Sequence, residues 1–144
     1  MNNPLPITKE YFVKRLSELC LKSGLTEFPK DEQDQQILLK SAVLMLGRLQ
    51  NLSEKEVNEI LETWVRDVSQ IKNVDRVTLR RRLVDTGYLT RSKDGSRYQV
   101  ARSGGHADFF DPAVEQIDPV AVISNARDEI ARKKKEYLEK KKGV

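Results

Sequence analysis

The dipeptide Asp94-Gly95 limits more than any other feature what this chain can fold into. It separates two short segments of β-type composition, residues 88–92 and 97–101, and Asp-Gly is a preferred pair for the centre of a type I′ turn. The sequence therefore predicts a two-stranded hairpin. With these two residues in the turn, the strands pair as follows: Leu89 with Val100, Arg91 with Tyr98, and Lys93 with Ser96.

The clearest helix start lies at Ser53. Ser53 and Glu56 have the spacing of a capping box, in which each side chain accepts a hydrogen bond from the other residue's backbone N–H. A helix is therefore expected to begin at Glu54. Its apolar side chains recur at intervals of three and four residues, so one face is buried, with Trp64 as an anchor in the core.

Two further helices are predicted before the hairpin. The segment 33–49 is so apolar that we expect it to be buried on more than one side. A helix from about residue 75 to 86 ends at Gly87, a residue that suits a left-handed cap. Three helices followed by a hairpin predict a mainly α fold with a small β-hairpin, an α+β domain of winged-helix or helix-turn-helix type.

The length of the chain, 144 residues, allows one ordinary core with accessory helices but not two full domains. Thr8 can cap a first helix, and Asp118-Pro119 can begin a last one. We predict four parts in this order: an N-terminal accessory helix (1–27), a winged-helix-like domain (28–102), an acidic linker (103–118) and a basic C-terminal helix (119–144).

Charge is distributed unevenly along the chain, whose net charge is +4. Residues 28–71 contain five Lys or Arg against eight Asp or Glu, whereas residues 72–102 contain nine against three. Residues 103–118 contain four acids and no Lys or Arg, and residues 119–144 contain eight basic and four acidic residues. A basic segment inside the central domain favours a polyanionic partner such as nucleic acid.

Few residues in this sequence suit catalysis or metal binding. Cys20 is the only cysteine and His106 the only histidine, which excludes an intrachain disulfide and a Cys/His zinc site within one chain. Cys20 lies on an apolar helical face, and His106 with Asp108 lies in a Gly-rich segment that offers a catalytic pair no rigid scaffold. We expect a protein that is not an enzyme and that uses no cofactor and no metal.

The sequence gives no indication of a membrane protein. Its apolar runs are too short to span a bilayer, and residues 1–8 lack the basic-then-apolar order of a signal peptide. We therefore expect a cytoplasmic protein without a membrane partner.

Four motifs, taken in order, resemble a single bacterial family. They are Phe28-Pro29-Lys30, residues 52–61, residues 78–91 and residues 94–98, and they cover about half of the chain. Together they resemble the bacterial domain of unknown function 2087. The resemblance implies a winged-helix-like domain often found in proteins described as transcriptional regulators, some of which carry a separate N-terminal helix-turn-helix. This chain has only a short helix in that position.

The helix over residues 75–86 is the candidate recognition helix. Helical geometry places four apolar residues toward the core: Val77, Leu79, Leu83 and Val84. Thr78, Arg81 and Arg82 then point outward and are predicted to contact nucleic acid. Arg80 is predicted to be structural, with its guanidinium paired to a carboxylate. The alternative for Arg81 is a surface ion pair with Asp85, four residues further on.

The hairpin carries a second group of cations. Arg91, Lys93 and Arg97 gather near its tip, where contact with phosphates is natural and confers no base specificity. The alternative is that these charges protect exposed strand edges from aggregation.

The leading functional hypothesis is a DNA-binding protein, a transcriptional regulator that uses a winged helix. No aromatic stacking platform of the RNA-binding kind is evident, which favours duplex DNA over RNA. The alternative is a protein-interaction module on the same scaffold. Such a module is expected to expose an apolar patch, with Phe109, Phe110 and Tyr88 as candidates.

The last helix leaves several roles open. Ile123, Ile130 and Tyr137 recur every seven residues, which is a weak coiled-coil seam that allows a homodimer through residues 119–144 or packing on the same domain. Its two lysine runs, residues 133–135 and 140–142, offer phosphate contacts or serve only to keep the protein soluble.

Overall fold

Five helices and three short strands form within residues 6–47, 51–101 and 109–142, the parts of the chain that the computed structural model describes. The helices are α1 (Lys9–Leu21), α2 (Glu32–Leu46), α3 (Glu54–Trp64), α4 (Arg76–Asp85) and α5 (Pro119–Lys142). The strands are β1 (Leu52–Ser53), β2 (Leu89–Arg91) and β3 (Arg97–Val100). A mainly helical α+β fold with a small antiparallel sheet is thus confirmed.

Side-chain caps decide where the first four helices begin. In each case a short polar side chain accepts a hydrogen bond from a backbone N–H in the first turn, a group that has no partner within the helix. The caps are Thr8 for α1, Asp31 for α2, Ser53 for α3 and Asp75 for α4. Ser53 and Glu56 form the capping box that the sequence predicts, with both hydrogen bonds at 3.1 Å.

The strands form one antiparallel sheet in the order β1-β3-β2. The register pairs Leu89 with Val100 and Arg91 with Tyr98, as the sequence predicts. The predicted type I′ turn is wrong, since Gly95 has a φ of +75° while Asp94 keeps a negative φ. The backbone N–H of Gly95 donates to Ser92 O (3.0 Å), and the connection spans residues 93–96.

Trp64 lies at the centre of a single core to which all five helices and all three strands contribute. Its side chain is fully buried, and its Nε1 donates to Ser41 Oγ at 2.8 Å. Ser41 Oγ in turn donates to the carbonyl of Leu38 at 2.6 Å. The ring of Phe28 stacks on the indole, with centroids 6.5 Å apart. The one polar atom of this large side chain is therefore satisfied inside the core.

Between α3 and α4 the chain forms a π-helical turn followed by a loop over residues 70–75. The last turn of α3 widens into a π-helical turn, Val65–Ser69, which ends at Gln70 in the left-handed region. Val68, Ile71 and Val74 are buried along this connection. The start of α4 is thus held by apolar packing.

The segment before α5, which belongs to the predicted acidic linker, is packed against the N-terminal part of the chain. Ile7 and Phe110 form a parallel bridge, with hydrogen bonds from Ile7 N to Phe109 O (2.7 Å) and from Asp111 N to Ile7 O (2.9 Å). Phe110 also meets Phe12 of α1 edge to face at 5.9 Å. Val114, in the 3-10 helix Pro112–Gln116, is fully buried.

Only the beginning of α5 packs on the rest of the protein. Pro119 and Ile123 are buried, whereas every residue from Arg127 to Lys142 is exposed. Of the predicted seam, Ile123 lies in the protein's own core, and Ile130 and Tyr137 are 42% and 64% exposed. In the described part of the chain, no helix has the length and apolar character needed to cross a membrane.

Candidate functional site

The outward face of α4 is centred on Arg81. Leu79 and Leu83 are fully buried, and Arg81, two residues from each, is exposed. Val77, which the sequence placed toward the core, is 36% exposed and lies one turn before Arg81 on the same side. The prediction for Val77 was wrong because the buried direction of α4 passes between Leu79 and Leu83, about 140° around the helix axis from Val77.

Thr78 and Arg81 lie at the surface, as predicted, on the first two turns of α4. Thr78 uses its backbone N–H to cap the helix, donating to Asp75 Oδ1 at 2.7 Å. This hydrogen bond is the main reason why the pKa of Asp75 lies below its usual value. Among the described residues Arg81 has no ion pair within 4.0 Å, so the predicted alternative of a pair with Asp85 does not form.

Arg82 is engaged in packing. Its guanidinium lies over the ring of Phe28 at 4.6 Å, and that ring also stacks on Trp64. Phe28 thus links the cation of Arg82 on α4 to the buried indole of Trp64. Phe28 precedes Arg82 by more than fifty residues, so the helical geometry of α4 could not reveal this contact.

Arg80 occupies the edge of the core, and its side chain is only 13% exposed. Its Nη1 lies 3.3 Å from Glu54 Oε1 and donates a hydrogen bond to Asn58 Oδ1. The guanidinium also lies 5.7 Å from the centroid of Tyr98. Arg80 therefore ties α4 to the start of α3 and to β3.

The hairpin tip is organised by Asp94 and Arg91. The Asp94 carboxylate accepts hydrogen bonds from the Ser96 backbone N–H (3.0 Å) and from the hydroxyls of Ser92 (2.7 Å) and Ser96 (2.8 Å). These bonds lower the pKa of Asp94 to about 2. The Arg91 guanidinium covers Gly95 so closely that a Cβ there would lie 2.2 Å from Nη2. The turn thereby holds Arg91 at the tip.

Arg97 and Lys93 differ in how they are held. Arg97 Nη1 donates to the carbonyl of Asn51 at 3.1 Å, and its backbone N–H donates to Ser92 Oγ at 3.1 Å. Since residues alternate across a strand, Arg97 lies on the opposite face of the sheet from Tyr98 and its partner Arg91. Lys93 is exposed within the tip.

Four cations of α4 and the hairpin make no ion pair, side-chain hydrogen bond or contact with an aromatic ring among the described residues: Arg76, Arg81, Arg91 and Lys93. All four are exposed. The six predicted contact residues thus divide into two groups. Thr78, Arg81, Arg91 and Lys93 are exposed. The guanidinium groups of Arg82 and Arg97 instead contact other parts of the fold, the ring of Phe28 and the carbonyl of Asn51.

The described residues contain no group of three His, Cys, Asp or Glu side chains that could hold a metal ion. Cys20 is buried, and desolvation raises the pKa of its thiol to about 12. A thiol with that pKa is almost entirely protonated at neutral pH and is a poor nucleophile. His106 and Asp108 lie outside the described residues.

The three aromatic residues considered for a partner-binding patch do not form one. Tyr88 is 1% exposed and Phe110 is 7% exposed, because both belong to the core. Burial also raises the pKa of the Tyr88 phenol well above its usual value. Phe109 is at the surface and 37% exposed.

Comparisons with known proteins give one match. Residues 24–100, more than half of the chain, match the family described as "Uncharacterized protein conserved in bacteria (DUF2087)". No curated protein and no solved structure matches the chain. The matched range begins just before Phe28 and ends with β3, so it includes α2, α3, α4 and the whole sheet. The chain therefore belongs to the DUF2087 family of bacterial proteins.

Proposed function

We propose that α4 and the hairpin form a surface for duplex DNA, and that the protein is a cytoplasmic transcriptional regulator. The observation that carries this proposal is a set of exposed cations on these two adjoining elements that make neither an ion pair nor a side-chain hydrogen bond among the described residues: Arg76, Arg81, Arg91 and Lys93. An exposed charge without a partner keeps its full attraction for a polyanion. DNA carries one negative charge for about every 1.7 Å of its axis and is the polyanion that such a surface fits best.

The order of elements supports a winged-helix arrangement of this surface. Helix α2, strand β1, helices α3 and α4, and the β2–β3 hairpin follow one another, with β3 in the middle of the sheet. In helix-turn-helix proteins the second helix of the pair enters the major groove. We assign this role to α4 and contact with the phosphate backbone to the hairpin.

Each exposed residue of α4 has a chemistry that suits a groove. The Arg81 guanidinium can donate two parallel hydrogen bonds to guanine, and Thr78 can donate or accept one. The exposed side chain of Val77 offers apolar contact to the methyl group of thymine. Arg91 and Lys93 contribute phosphate contacts, which position the protein without reading sequence.

A salt titration tests the proposal directly. Fluorescence anisotropy of the full chain against a mixed-sequence DNA duplex is expected to give micromolar binding at low salt. With three or four phosphate contacts from α4 and the hairpin alone, log Kobs should fall against log salt with a slope of about −3 to −4 or steeper, since each contact contributes about 0.9. Absence of binding at low salt would contradict the proposal and favour the second candidate.

The second candidate is a protein-interaction module in which α5 provides the contact surface. The observation in its favour is the exposure of Ile130, Tyr137 and Leu138, which are 42%, 64% and 47% exposed in the outer half of the helix. A second copy of the chain is the simplest partner.

Light scattering on the full chain tests this second candidate. If α5 forms a homodimer, the measured mass corresponds to two chains and falls to one in a variant with Ile130→Ser and Tyr137→Ser. Because both side chains are exposed, the substitutions should leave the free energy of unfolding of a monomer within about 0.5 kcal/mol. A mass of one chain for the unaltered protein excludes the homodimer at the concentration used.

A further inference from the structure

The outer half of α5, residues 127–142, is a helical arm whose side chains are all exposed. Sixteen helical residues extend about 24 Å. The arm contains eight Lys or Arg and four Asp or Glu. Two ion pairs join residues that are four positions apart on the arm: Glu129 with Lys133 (3.3 Å) and Arg132 with Glu136 (4.0 Å). Such pairs stabilise a helix that has little tertiary packing.

The charges of the arm are separated around its axis. With 3.6 residues per turn, the four acids fall within about 100° of the circumference. They are Asp128, Glu129, Glu136 and Glu139. Arg132 shares this acidic sector, and the other seven basic residues occupy the rest of the circumference: Arg127, Lys133, Lys134, Lys135, Lys140, Lys141 and Lys142. The arm therefore has one continuous basic face.

The exposed apolar residues lie within this basic face. Arg127, Ile130, Lys134, Tyr137 and Lys141 follow at intervals of three and four residues and form one stripe. A second copy that covered this stripe in either orientation would bring lysine against lysine, which disfavours a homodimer. A helix that lies on a membrane needs an uninterrupted apolar face, and the basic residues break this one.

We infer that the arm is a second contact surface for nucleic acid, and that its basic face binds the phosphate backbone beyond the surface formed by α4 and the hairpin. Lysine side chains suit this role because they are long, flexible point charges. The contacts would be independent of sequence and would raise affinity for any duplex. The class of ligand, nucleic acid, is taken from the proposed function. The residues that would bind it are inferred from the charge distribution of the arm alone.

A charge-neutral variant of the arm tests the inference. It combines Lys133→Gln, Lys134→Gln, Lys140→Gln and Lys141→Gln, and glutamine keeps the helical propensity of lysine. In anisotropy titrations of the full chain with a mixed-sequence duplex, we expect the salt slope to become shallower by about 0.9 for each phosphate that the arm no longer neutralises. Affinity at physiological salt should fall at least tenfold. An unchanged slope would overturn the inference.

The matched control neutralises the opposite sector with Asp128→Asn, Glu129→Gln, Glu136→Gln and Glu139→Gln. It changes as many charges on the same arm, and we expect equal or tighter DNA binding. Both variants lose the Glu129–Lys133 ion pair, and the control also loses Arg132–Glu136. Circular dichroism of each variant and of the unaltered chain therefore measures whether the arm keeps its helix content, which each lost pair should lower only slightly. If DNA binding weakened equally in both variants, the affinity would depend on the structure of the arm and not on the charge of its lysines. That result would overturn the inference. So would stronger binding of the chain to phosphatidylserine vesicles than to DNA.

The results for these variants distinguish DNA binding by the arm from DNA binding by α4. If the Arg81→Glu variant loses affinity and the lysine variant does not, the inference fails and the proposed function stands. If the lysine variant loses affinity and Arg81→Glu does not, the arm binds DNA and the proposed role of α4 is wrong. No binding by the unaltered chain contradicts both.

Discussion

Replacing Trp64 by alanine is expected to lower the free energy of unfolding by about 3–5 kcal/mol, the usual cost of removing a large buried aromatic side chain. The indole is fully buried, covered by Phe28, and hydrogen-bonded to Ser41. The cavity would lie in the middle of the core, where the flanking helices cannot close over it without giving up their own packing. Against a typical total of about 5–15 kcal/mol, this decrease leaves little stability.

Urea denaturation followed by far-UV circular dichroism measures this decrease. Trp64 is the only tryptophan, so its fluorescence cannot follow the variant. Tyr137→Ala is the control, because that ring is 64% exposed and its removal should cost no more than about 0.5 kcal/mol. Ser41→Ala isolates the hydrogen bond and should cost about 1–3 kcal/mol by leaving the indole N–H buried without a partner. A decrease below about 1 kcal/mol for Trp64→Ala would show that Trp64 is not an anchor of the core.

Charge reversal at Arg81 is expected to weaken DNA binding by roughly tenfold to a hundredfold, because one good contact is worth about 1–3 kcal/mol. Arg81 is exposed and has no ion pair among the described residues, so Arg81→Glu should change the free energy of unfolding by no more than about 0.5 kcal/mol. Affinity is measured by anisotropy with a duplex at fixed salt, and stability by denaturation. Unaltered affinity in this variant would rule out α4 as the contact surface.

Two variants serve as controls for Arg81→Glu. Lys14→Glu makes the same charge change at an exposed position of α1 and should leave affinity nearly unchanged. Arg82→Gln removes the cation from the ring of Phe28 and should lower the free energy of unfolding by about 0.5–1 kcal/mol. Two neighbouring arginines of α4 would thus have different effects: Arg81 would affect DNA binding, and Arg82 would affect stability.

Local sequence signals predicted the elements of this fold well. The capping box depends only on Ser53 and Glu56, and the strand register only on residues close to the turn, so nearby residues suffice. The turn type failed for a local reason that is harder to foresee. The Asp94 carboxylate binds Ser92 and Ser96, and this network favours a longer connection over the two-residue turn.

Contacts between distant segments account for the errors at the candidate site. The orientation of α4 was deduced from its own apolar residues, but Phe28 approaches it from the loop before α2 and engages Arg82. Arg97 is likewise held by the carbonyl of Asn51. Helical periodicity does not account for a side chain that comes from elsewhere in the chain. A basic run predicts a charged surface, and tertiary contacts then decide which of its cations stay available.

The bridge between Ile7 and Phe110 sets the order in which a nascent chain can complete its fold. The two residues of this bridge are separated by about a hundred residues, which a ribosome adds in about 5–20 s at ordinary rates of synthesis. During that time the apolar face of α1 cannot receive Phe110, Val114 or Ile123, since these residues do not yet exist. Helix α1 packs on α2 early, but its contacts with the segment before α5 and with α5 form only at the end. A transcript that ends after the hairpin would therefore leave part of the apolar surface of α1 exposed.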